Sequence, residues 1–194
     1  MSTPRIVLAS TSRYRAGLLR RLLDNFEQIA PGVDEQPLPG EAPAARAARL
    51  ATAKAVAVSK QHRDAVVIGS DQVAALGDTI LHKPGSSDNA REQLRASSGN
   101  IVNFHTSLCV LDGRERRLQT HTDHTRVVFR ALSDEEIRHY LARERPFDCA
   151  GSFKSEGAGI ALFERIESED PTALIGLPLI ALARLLREAG IPVP

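Results

Sequence analysis

The sequence predicts an α/β fold in which a mixed twisted sheet is flanked by helices. Short β-branched apolar runs bounded by polar residues, such as residues 6–9 and 65–69, are typical of buried strands. Segments with apolar residues at helical spacing stand between such runs. The 194 residues are enough for one domain with a substantial core. We therefore expect residues 1–194 to form a single α/β domain.

The first third of the chain alternates strand and helix patterns. Residues 6–9 predict a strand, and the loop STSRYR leads to a helix whose leucines recur at helical spacing. Residues 26–33 predict a second strand, followed by the proline-rich loop VDEQPLPGEAP. The alanine-rich segment AARAARLATAKAVAVSKQH then predicts a helix with one apolar face, formed by Leu50, Ala53, Ala57 and Val58.

Local turn and cap signals predict the remaining elements. A strand at 65–69 precedes a hairpin whose strands, 73–76 and 79–81, flank Gly77-Asp78. The segment SSDNAREQLRASSG predicts a capped helix, and a connection holding Asp112-Gly113 joins the strands IVNFHTSLCVL and RVVFRAL. Ser133 and Glu136 form a capping box for a helix to about Arg143. LPLIALARLLREAG predicts the last helix, with Pro178 in its first turn and Gly190 after its end.

The composition of the chain argues against nucleic-acid and membrane partners. A net charge of +1 provides no broad basic field for a nucleic acid, and 4% aromatic residues are too few for a base-stacking platform. RNA binding by the arginine-rich first helix is therefore a disfavoured alternative. The sequence has neither a signal-peptide pattern nor an apolar run of ~20 residues, so we expect a cytoplasmic protein with no membrane partner. The two cysteines, Cys109 and Cys149, are expected to be buried free thiols.

Polar residues at the ends of elements predict a phosphate site. In STSRYR, Ser10 or Ser12 can cap the helix, and Arg13 and Arg15 add guanidinium groups that match phosphate oxygens. A capped helix with two solvated arginines is the alternative. Asp71 lies just beyond the strand at 65–69, at the sheet edge where an acid can hold a metal or accept a proton, although a simple turn aspartate would look the same.

Three lysines and a glycine-rich loop extend this interpretation. Lys54 lies among small residues of the alanine-rich helix, and Lys83 precedes a Pro-Gly turn. The loop CAGSFKSEG carries Lys154 and Glu156 between glycines. Such a loop can wrap a ligand, but solvated lysines and a flexible surface turn would give the same pattern.

The order of seven short motifs resembles the Maf-type nucleoside triphosphate pyrophosphatases over almost the whole chain. These motifs are LASTSRYR, VDE, ATAKA, IGSDQVA, HKPG, GSFKSEG and GLPL. The resemblance implies a fold similar to inosine triphosphate pyrophosphatases, with two lobes around a nucleotide cleft. It also implies hydrolysis of a nucleoside triphosphate between its α- and β-phosphates with a divalent metal.

The same resemblance implies roles for individual residues. It assigns the triphosphate to Ser10, Ser12, Arg13 and Arg15, with Lys54, Lys83 and Lys154 neutralising phosphate charge. It makes Asp71 the general base, and Glu35 and Asp71 the oxygen ligands of Mg²⁺ or Mn²⁺.

Three positions indicate the substrate branch. Gln72 and Glu156 stand where the branch acting on thymidine and uridine triphosphates typically has threonine and glutamine, and Tyr14 lies between the two loop arginines. This combination resembles the branch acting on 7-methylguanosine triphosphate. A pyrophosphatase preferring TTP or UTP, and a non-catalytic nucleotide-binding regulator of cell division, are the alternatives. The oligomeric state is left open, with a homodimer among the options.

Overall fold

A computed structural model of the chain describes residues 4–194, and residues 1–3 of the expected domain lie outside this range. Seven strands form one sheet in the order β2-β1-β3-β5-β6-β7, with β4 paired to β3. Their bounds are β1 Ile6–Leu8, β2 Glu27–Gln28, β3 Val66–Leu76, β4 Thr79–Leu81, β5 Ile101–Asp112, β6 Arg117–Phe129 and β7 Phe163–Glu167.

Five α-helices and three short 3₁₀ turns connect these strands in the described residues. The helices are α1 Arg13–Leu19, α2 Pro43–Ser59, α3 Ser87–Ser97, α4 Asp134–Glu144 and α5 Leu179–Glu188. The 3₁₀ turns are Ala150–Ser152, Ala158–Leu162 and Ala173–Ile175. None of the helices in residues 4–194 has the length and apolarity that a bilayer crossing requires.

The sheet is mixed, as predicted. Strand β1 runs parallel to β2 and β3, whereas β3 is antiparallel to β4 and β6 is antiparallel to β7. The predicted hairpin around Gly77 is confirmed, with Leu76 opposite Thr79. The capping box of Ser133 and Glu136 is also present at the start of α4.

The chain divides into two compact units. The first comprises the chain up to Gln72 together with Thr106–Asp123 and Asp170–Pro194. The second comprises Val73–His105 and His124–Glu169. Strands β3, β5 and β6 each contribute residues to both units.

In the first unit, helices cover both faces of the sheet. Alternate residues of β1, β3 and β5 pack on α1 and α5, a cluster that includes Leu8, Ile68, Leu108 and Leu182. The intervening residues of the strands face α2, whose Ala51, Ala55 and Val58 pack on Val7 and Val67. Side chains that alternate along a strand point to opposite faces, so β3 presents Ile68 to α1 and α5 but Val67 to α2.

Helix α2 lies directly against the backbone of β3 at Gly69. A Cβ atom at this position would lie 2.2 Å from the carbonyl oxygen of Ala51 and 2.8 Å from the backbone nitrogen of Ala55. The alanine-rich helix and the glycine therefore pack together because neither carries a bulky side chain at the contact. This close approach brings Lys54 of α2 near the residues that follow Gly69 in β3.

In the second unit, an aromatic cluster forms part of the core. Phe104, Phe129, Phe153 and Phe163 make edge-to-face contacts, with ring centroids 4.7–5.7 Å apart. Such contacts stabilise the packing beyond the area they bury. The Phe153 ring fixes the segment that precedes Lys154.

Several predicted elements differ from those observed. The second strand is Glu27–Gln28 rather than 26–33, and β6 begins at Arg117, nine residues before the predicted start. The buried face of α2 comprises Ala47, Leu50, Ala51, Lys54, Ala55 and Val58, so the prediction of Ala53 and Ala57 on that face was wrong. Pro178 precedes α5 rather than lying within it.

The prediction for the cysteines is half right. Both thiols are free, and Cys109 is fully buried, but Cys149 is only half-buried. Burial raises the pKa of the Cys109 thiol to about 11. Because the thiolate is the reactive form of cysteine, burial disfavours reaction of this thiol at neutral pH.

Candidate active site

Asp71 lies inside a strand, which corrects the expectation that it follows one. Strand β3 continues from Val66 to Leu76, and Asp71 is 6% exposed. Its parallel partner β1 ends at Leu8, which is in register with Ile68. Asp71 therefore lies beyond the carboxyl end of β1, at the edge of the parallel pair where α/β sheets usually bind ligands.

One ammonium group joins two carboxylates at this edge. The Nζ atom of Lys54 lies 2.6 Å from Oδ1 of Asp71 and 2.7 Å from Oε1 of Glu35. Lys54 and Asp71 are buried, whereas 56% of the Glu35 side chain is exposed. Removing either partner of this pair would leave an uncompensated buried charge. Lys54 thus lies on the buried face of α2 and not at a solvated position.

The loop that carries Glu35 is held by two arginines of α2. Arg46 donates a hydrogen bond to the Glu35 carbonyl oxygen at 3.0 Å, and Arg49 donates to the Gln36 carbonyl oxygen at 3.1 Å. Arg49 also forms a two-pronged ion pair with Glu41. This ion pair lowers the pKa of Glu41 to about 2. The backbone on either side of the Glu35 side chain is therefore anchored to the same helix as Lys54.

The donor set of Glu35 and Asp71 fits a hard divalent cation. Their carboxylates converge on one positive charge, and Mg²⁺ binds through one or two carboxylates while substrate phosphates and water complete its coordination. Within residues 4–194, no three His, Cys, Asp or Glu side chains come together as a complete protein-only metal cluster. A metal bound to these two carboxylates would take its remaining oxygen ligands from water or from a bound ligand.

The STSRYR loop is shaped by its two serines. The Ser10 hydroxyl oxygen accepts a hydrogen bond from the Ser12 amide at 3.1 Å, and Ser12 caps α1 by accepting from the Arg15 amide. Helix α1 has only seven residues, which gives it a weak macrodipole. The cations of this loop are therefore its arginines rather than the end of the helix.

Arg15 is oriented by a backbone carbonyl. Its Nε atom donates to the Gly176 oxygen at 2.9 Å, which leaves the terminal fork of the guanidinium as its phosphate-matching edge. Burial lowers the pKa of Arg15, and the negative charges of Asp71 and Glu35 oppose this effect. The guanidinium stays protonated because its ordinary pKa is far above neutrality.

Arg13 and Tyr14 contact each other. The Arg13 guanidinium lies 4.9 Å from the centroid of the Tyr14 ring and donates a hydrogen bond to the phenol oxygen at 2.9 Å. The ring is half-buried, and the arginine is exposed. The Tyr14 ring therefore already accepts a cation on its π system.

Gln72 contacts the backbone near the C-terminal helix. Its side-chain nitrogen donates to the carbonyl oxygens of Ala173 and Leu174, each at 3.0 Å, and lies 2.9 Å from the Thr106 hydroxyl. These contacts support the turn before α5. The sequence suggested that Gln72 helps to select the substrate. Because its side-chain nitrogen is used in these contacts, Gln72 could do so only through this turn or through its side-chain oxygen.

The remaining three predicted site residues belong to the second unit. Lys83 is exposed. Lys154 is half-buried, and its ammonium donates to the Glu144 carbonyl oxygen at the end of α4, at 2.7 Å. The Lys154 amide donates to the Tyr140 hydroxyl, whose pKa is raised by burial. Glu156 is exposed and accepts from Ser155 at 3.5 Å, and among the described residues it forms no ion pair with Lys83 or Lys154.

Sequence reasoning missed the residues that support the site. Arg46 and Arg49 lie four residues and one residue before Leu50 in the alanine-rich segment, and no local pattern marks them as contacts of the Glu35 loop. Gly176 was part of the quoted motif GLPL, but the motif carried no assigned role. The one sequence feature that pointed to Gly176 is its place directly before Leu177-Pro178, since glycine and proline together often mark a turn with an unusual backbone conformation.

A buried carboxylate–ammonium pair, with the Arg15 guanidinium close enough to interact with the charges of Asp71 and Glu35, is typical of an enzyme that acts on phosphorylated substrates. Comparison with known proteins identifies its family. The family model described as Maf-like protein matches residues 5–189, so the chain belongs to the Maf family.

Curated relatives match nearly the full length. A 7-methyl-GTP pyrophosphatase of Xanthomonas axonopodis pv. citri is 56% identical, over 98% of this chain and 100% of its own. Proteins of the same name from Thiobacillus denitrificans and Cupriavidus pinatubonensis are 54% and 53% identical, over 99% and 97% of this chain and 96% and 95% of their own. The recognition of the family from its seven motifs is confirmed.

Proposed function

We propose that this protein hydrolyses 7-methyl-GTP between the α- and β-phosphates, releasing 7-methyl-GMP and pyrophosphate. The observation that carries the proposal is the buried pair of Asp71 and Lys54, joined by Glu35, at the carboxyl end of β1. Relatives named 7-methyl-GTP pyrophosphatase support it, at 53–56% identity over nearly the whole chain.

Asp71 is the proposed general base. Its carboxylate takes a proton from a water molecule whose oxygen bonds to the α-phosphorus. The bond from that phosphorus to the oxygen bridging to the β-phosphorus then breaks, and pyrophosphate leaves. Lys54 fixes Oδ1 of Asp71, so the carboxylate has a defined orientation when the proton is transferred.

Cations provide most of the remaining catalysis. Positioning and charge stabilisation dominate phosphoryl transfer, because the transition state spreads charge over the phosphate oxygens. We assign stabilisation of this transition-state charge to Lys54, and binding of the triphosphate to Arg13 and Arg15, with Lys83 and Lys154 as further phosphate ligands. Ser10 and Ser12 support the arginine loop through the contacts described above.

Glu35 and Asp71 are the proposed holders of Mg²⁺ or Mn²⁺. When bound there, such an ion neutralises phosphate oxygens and helps to orient the triphosphate. The Lys54 ammonium, which contacts both carboxylates, would add a second positive charge beside the phosphates while it keeps Oδ1 of Asp71 in place.

Recognition of the base is assigned to Tyr14 and Glu156, with Gln72 in support. Methylation at N7 gives guanine a delocalised positive charge, which a phenol ring attracts through a cation–π interaction and a carboxylate attracts by Coulomb's law. Glu156 can also accept hydrogen bonds from the N1–H and the exocyclic amine of guanine. An uncharged purine lacks the first two interactions.

We also propose that residues 1–194 act as one catalytic domain in the cytoplasm. Three strands that run through both compact units, and a family match from residue 5 to residue 189, support a single domain. Nucleoside triphosphates are metabolites of the cytoplasm, which supports that location.

A substrate panel tests the proposal. The purified protein is given 7-methyl-GTP, GTP, TTP and UTP with Mg²⁺, with Mn²⁺ and with chelator, and pyrophosphate release is measured. We expect metal-dependent release with kcat/KM highest for 7-methyl-GTP. A preference for TTP or UTP would overturn the substrate assignment, and binding without pyrophosphate release would indicate a regulator instead of an enzyme.

A further inference from the structure

The segment from Asp170 to Pro178, here called the Asp170–Pro178 turn, has no role in the proposed chemistry, yet it contacts several residues around Asp71. Three of its carbonyl oxygens accept hydrogen bonds from side chains elsewhere in the first unit. The Ala173 and Leu174 oxygens accept from Gln72, and the Gly176 oxygen accepts from Ser70 and Arg15.

These contacts lie on both sides of the proposed base in the sequence. Ser70 and Gln72 flank Asp71 in β3, and by the alternation of side chains along a strand they share the sheet face of Ile68, which packs on α1 and α5. Asp71 is on the opposite face and contacts Lys54 of α2. The fully buried Ser70 hydroxyl donates to the Gly176 oxygen at 3.0 Å, and Thr106 adds a bond to the Ala173 oxygen at 2.9 Å. The turn is therefore fixed to the strand segment that holds Asp71.

The backbone of Gly176 is suited to this double contact. Its φ angle is +125°, a region that residues with a side chain rarely adopt. Its oxygen then receives Nε of Arg15 at 2.9 Å together with the Ser70 hydroxyl. A single carbonyl group thereby sets the orientation of the Arg15 guanidinium relative to β3.

The turn is itself held by a buried carboxylate and a hydroxyl. Asp170, 3% exposed, accepts from the amide and the hydroxyl of Thr172 and, through Oδ2, from the Ile180 amide at 2.7 Å. The Thr172 hydroxyl oxygen in turn accepts from the Leu179 amide at 2.9 Å. These bonds satisfy the first amides of α5 and close the turn around Gly176.

We propose that Gly176 is a positioning residue, which holds the Arg15 guanidinium for the triphosphate, and that Asp170 and Thr172 keep Gly176 in place. The inference rests on the proposed function, because Arg15 is taken there as a phosphate ligand. Binding through Arg15 contributes equally to substrate and transition state, so loosening it raises KM and leaves kcat nearly unchanged.

Thr172→Val and Thr172→Ser test the proposal as a matched pair. Valine keeps the shape of threonine but removes the hydroxyl, whereas serine retains the hydroxyl. For Thr172→Val we expect the KM for 7-methyl-GTP to rise about tenfold, less than the roughly hundredfold cost of losing a charged hydrogen bond outright. Thr172→Ser should remain within about twofold of the wild type.

Combining Thr172→Val with Arg15→Ala shows whether the rise in KM depends on Arg15. If the turn acts through Arg15, adding Thr172→Val to Arg15→Ala changes KM little, because coupled residues are not additive. Should Thr172→Val be too unstable to purify, Asp170→Asn removes one acceptor of the same network and gives the same split of KM from kcat.

Three results would overturn the proposal: equal kinetics for Thr172→Val and Thr172→Ser, a loss confined to kcat, or full additivity with Arg15→Ala. Each of these requires an active wild-type enzyme. A wild type without pyrophosphate release would contradict the proposed function instead, so the two failures are distinguishable.

Discussion

The Lys54 ammonium lies 2.6 Å from Oδ1 of Asp71, with only 7% and 9% of the two side chains exposed. A buried carboxylate needs such a partner, because an isolated charge is costly away from water. The same contact orients the proposed base. Both the chemistry and the stability of the site should therefore respond to changes at either residue.

Replacement of Asp71 by asparagine tests the base. The variant keeps the size of the side chain but loses its negative charge and its basicity, so we expect kcat to fall by ~10²- to 10⁴-fold. Calorimetry should still detect nucleotide binding. Near-normal turnover at saturating metal would show that another group accepts the proton.

Asp112→Asn is the matched control for that variant. Asp112 is another buried carboxylate with a cationic partner, Arg114, at 2.6 Å. It lies six residues along β5 from Thr106, roughly 20 Å at the rise of a strand. Its replacement should lower stability without a large change in kcat.

Lys54→Met should destabilise the protein. Without the ammonium, Asp71 is left buried and unpaired beside Glu35, and breaking a buried pair in this way typically costs about 3 kcal/mol of unfolding free energy. Urea unfolding at pH 7 measures the loss. Lys60→Met, at an exposed position just after the same helix, should stay close to the wild type. Equal stability of the two variants would contradict a structural ion pair at Lys54.

Arg13→Ala should weaken binding of the triphosphate far more than binding of the nucleoside. A charge-assisted hydrogen bond to phosphate contributes roughly 1.5–3 kcal/mol, whereas the base does not depend on it. Calorimetric titration with 7-methyl-GTP and 7-methylguanosine makes the comparison. Arg20→Ala, which removes an exposed guanidinium packed over Phe26, is the control. Equal losses for both ligands would indicate that Arg13 only supports the fold.

Glu156→Gln should reduce the preference for the methylated base. The substitution removes the charge that attracts 7-methylguanine but leaves the phosphate ligands unchanged, so discrimination against GTP should fall while turnover persists. Competition kinetics with 7-methyl-GTP, GTP, TTP and UTP measure it. Glu164→Gln, at another exposed glutamate of the second unit, should leave selectivity intact. Unchanged selectivity in Glu156→Gln would refute this assignment.

Acid unfolding should depend on Glu41. Its hydrogen bonds from Arg49 lower its folded-state pKa from 4.5 to about 2. Between pH 4.5 and pH 2 the unfolded state therefore binds more protons at Glu41 than the folded state does. The stabilisation from Glu41 is complete above about pH 4.5 and is lost as the pH falls through 2. In urea unfolding from pH 7 to pH 2, the difference between wild type and Glu41→Gln should shrink only below about pH 4.5. Glu92→Gln, at an exposed site of α3, is the control variant.

Local rules predicted most elements of the fold. Turn glycines and caps act within a few residues, so the hairpin at Gly77 and the capping box at Ser133 were readable from the sequence. The buried start of β3 was equally plain because its residues are all apolar. Predictions that depended on the length of an element were weaker, as the two-residue β2 and the early start of β6 show.

The polar centre of β3 could not be predicted in the same way. Ser70, Asp71 and Gln72 interrupt an apolar run, which locally resembles the end of a strand. Their partners lie far away in sequence: Gly176 is 106 residues from Ser70, and Ala173 is 101 residues from Gln72. Lys54 was predicted as a phosphate ligand, with a solvated lysine as the alternative, and its ion pair with Asp71, 17 residues further along the chain, was not predicted. Only the tertiary structure provides the partners that make these groups stable when buried.

The contact between Gly69 and α2 leaves no space for a side chain at position 69, and this limits how the site can vary. An added methyl group would lie 2.2 Å from the Ala51 oxygen, a backbone atom that cannot rotate away as a flexible side chain can. Any larger residue must therefore shift α2 outward as a rigid rod, and Lys54 and the arginines that hold the Glu35 loop would move with it. Gly69 has no functional group, yet it sets the distance between α2, which carries Lys54, and β3, which carries the proposed base Asp71.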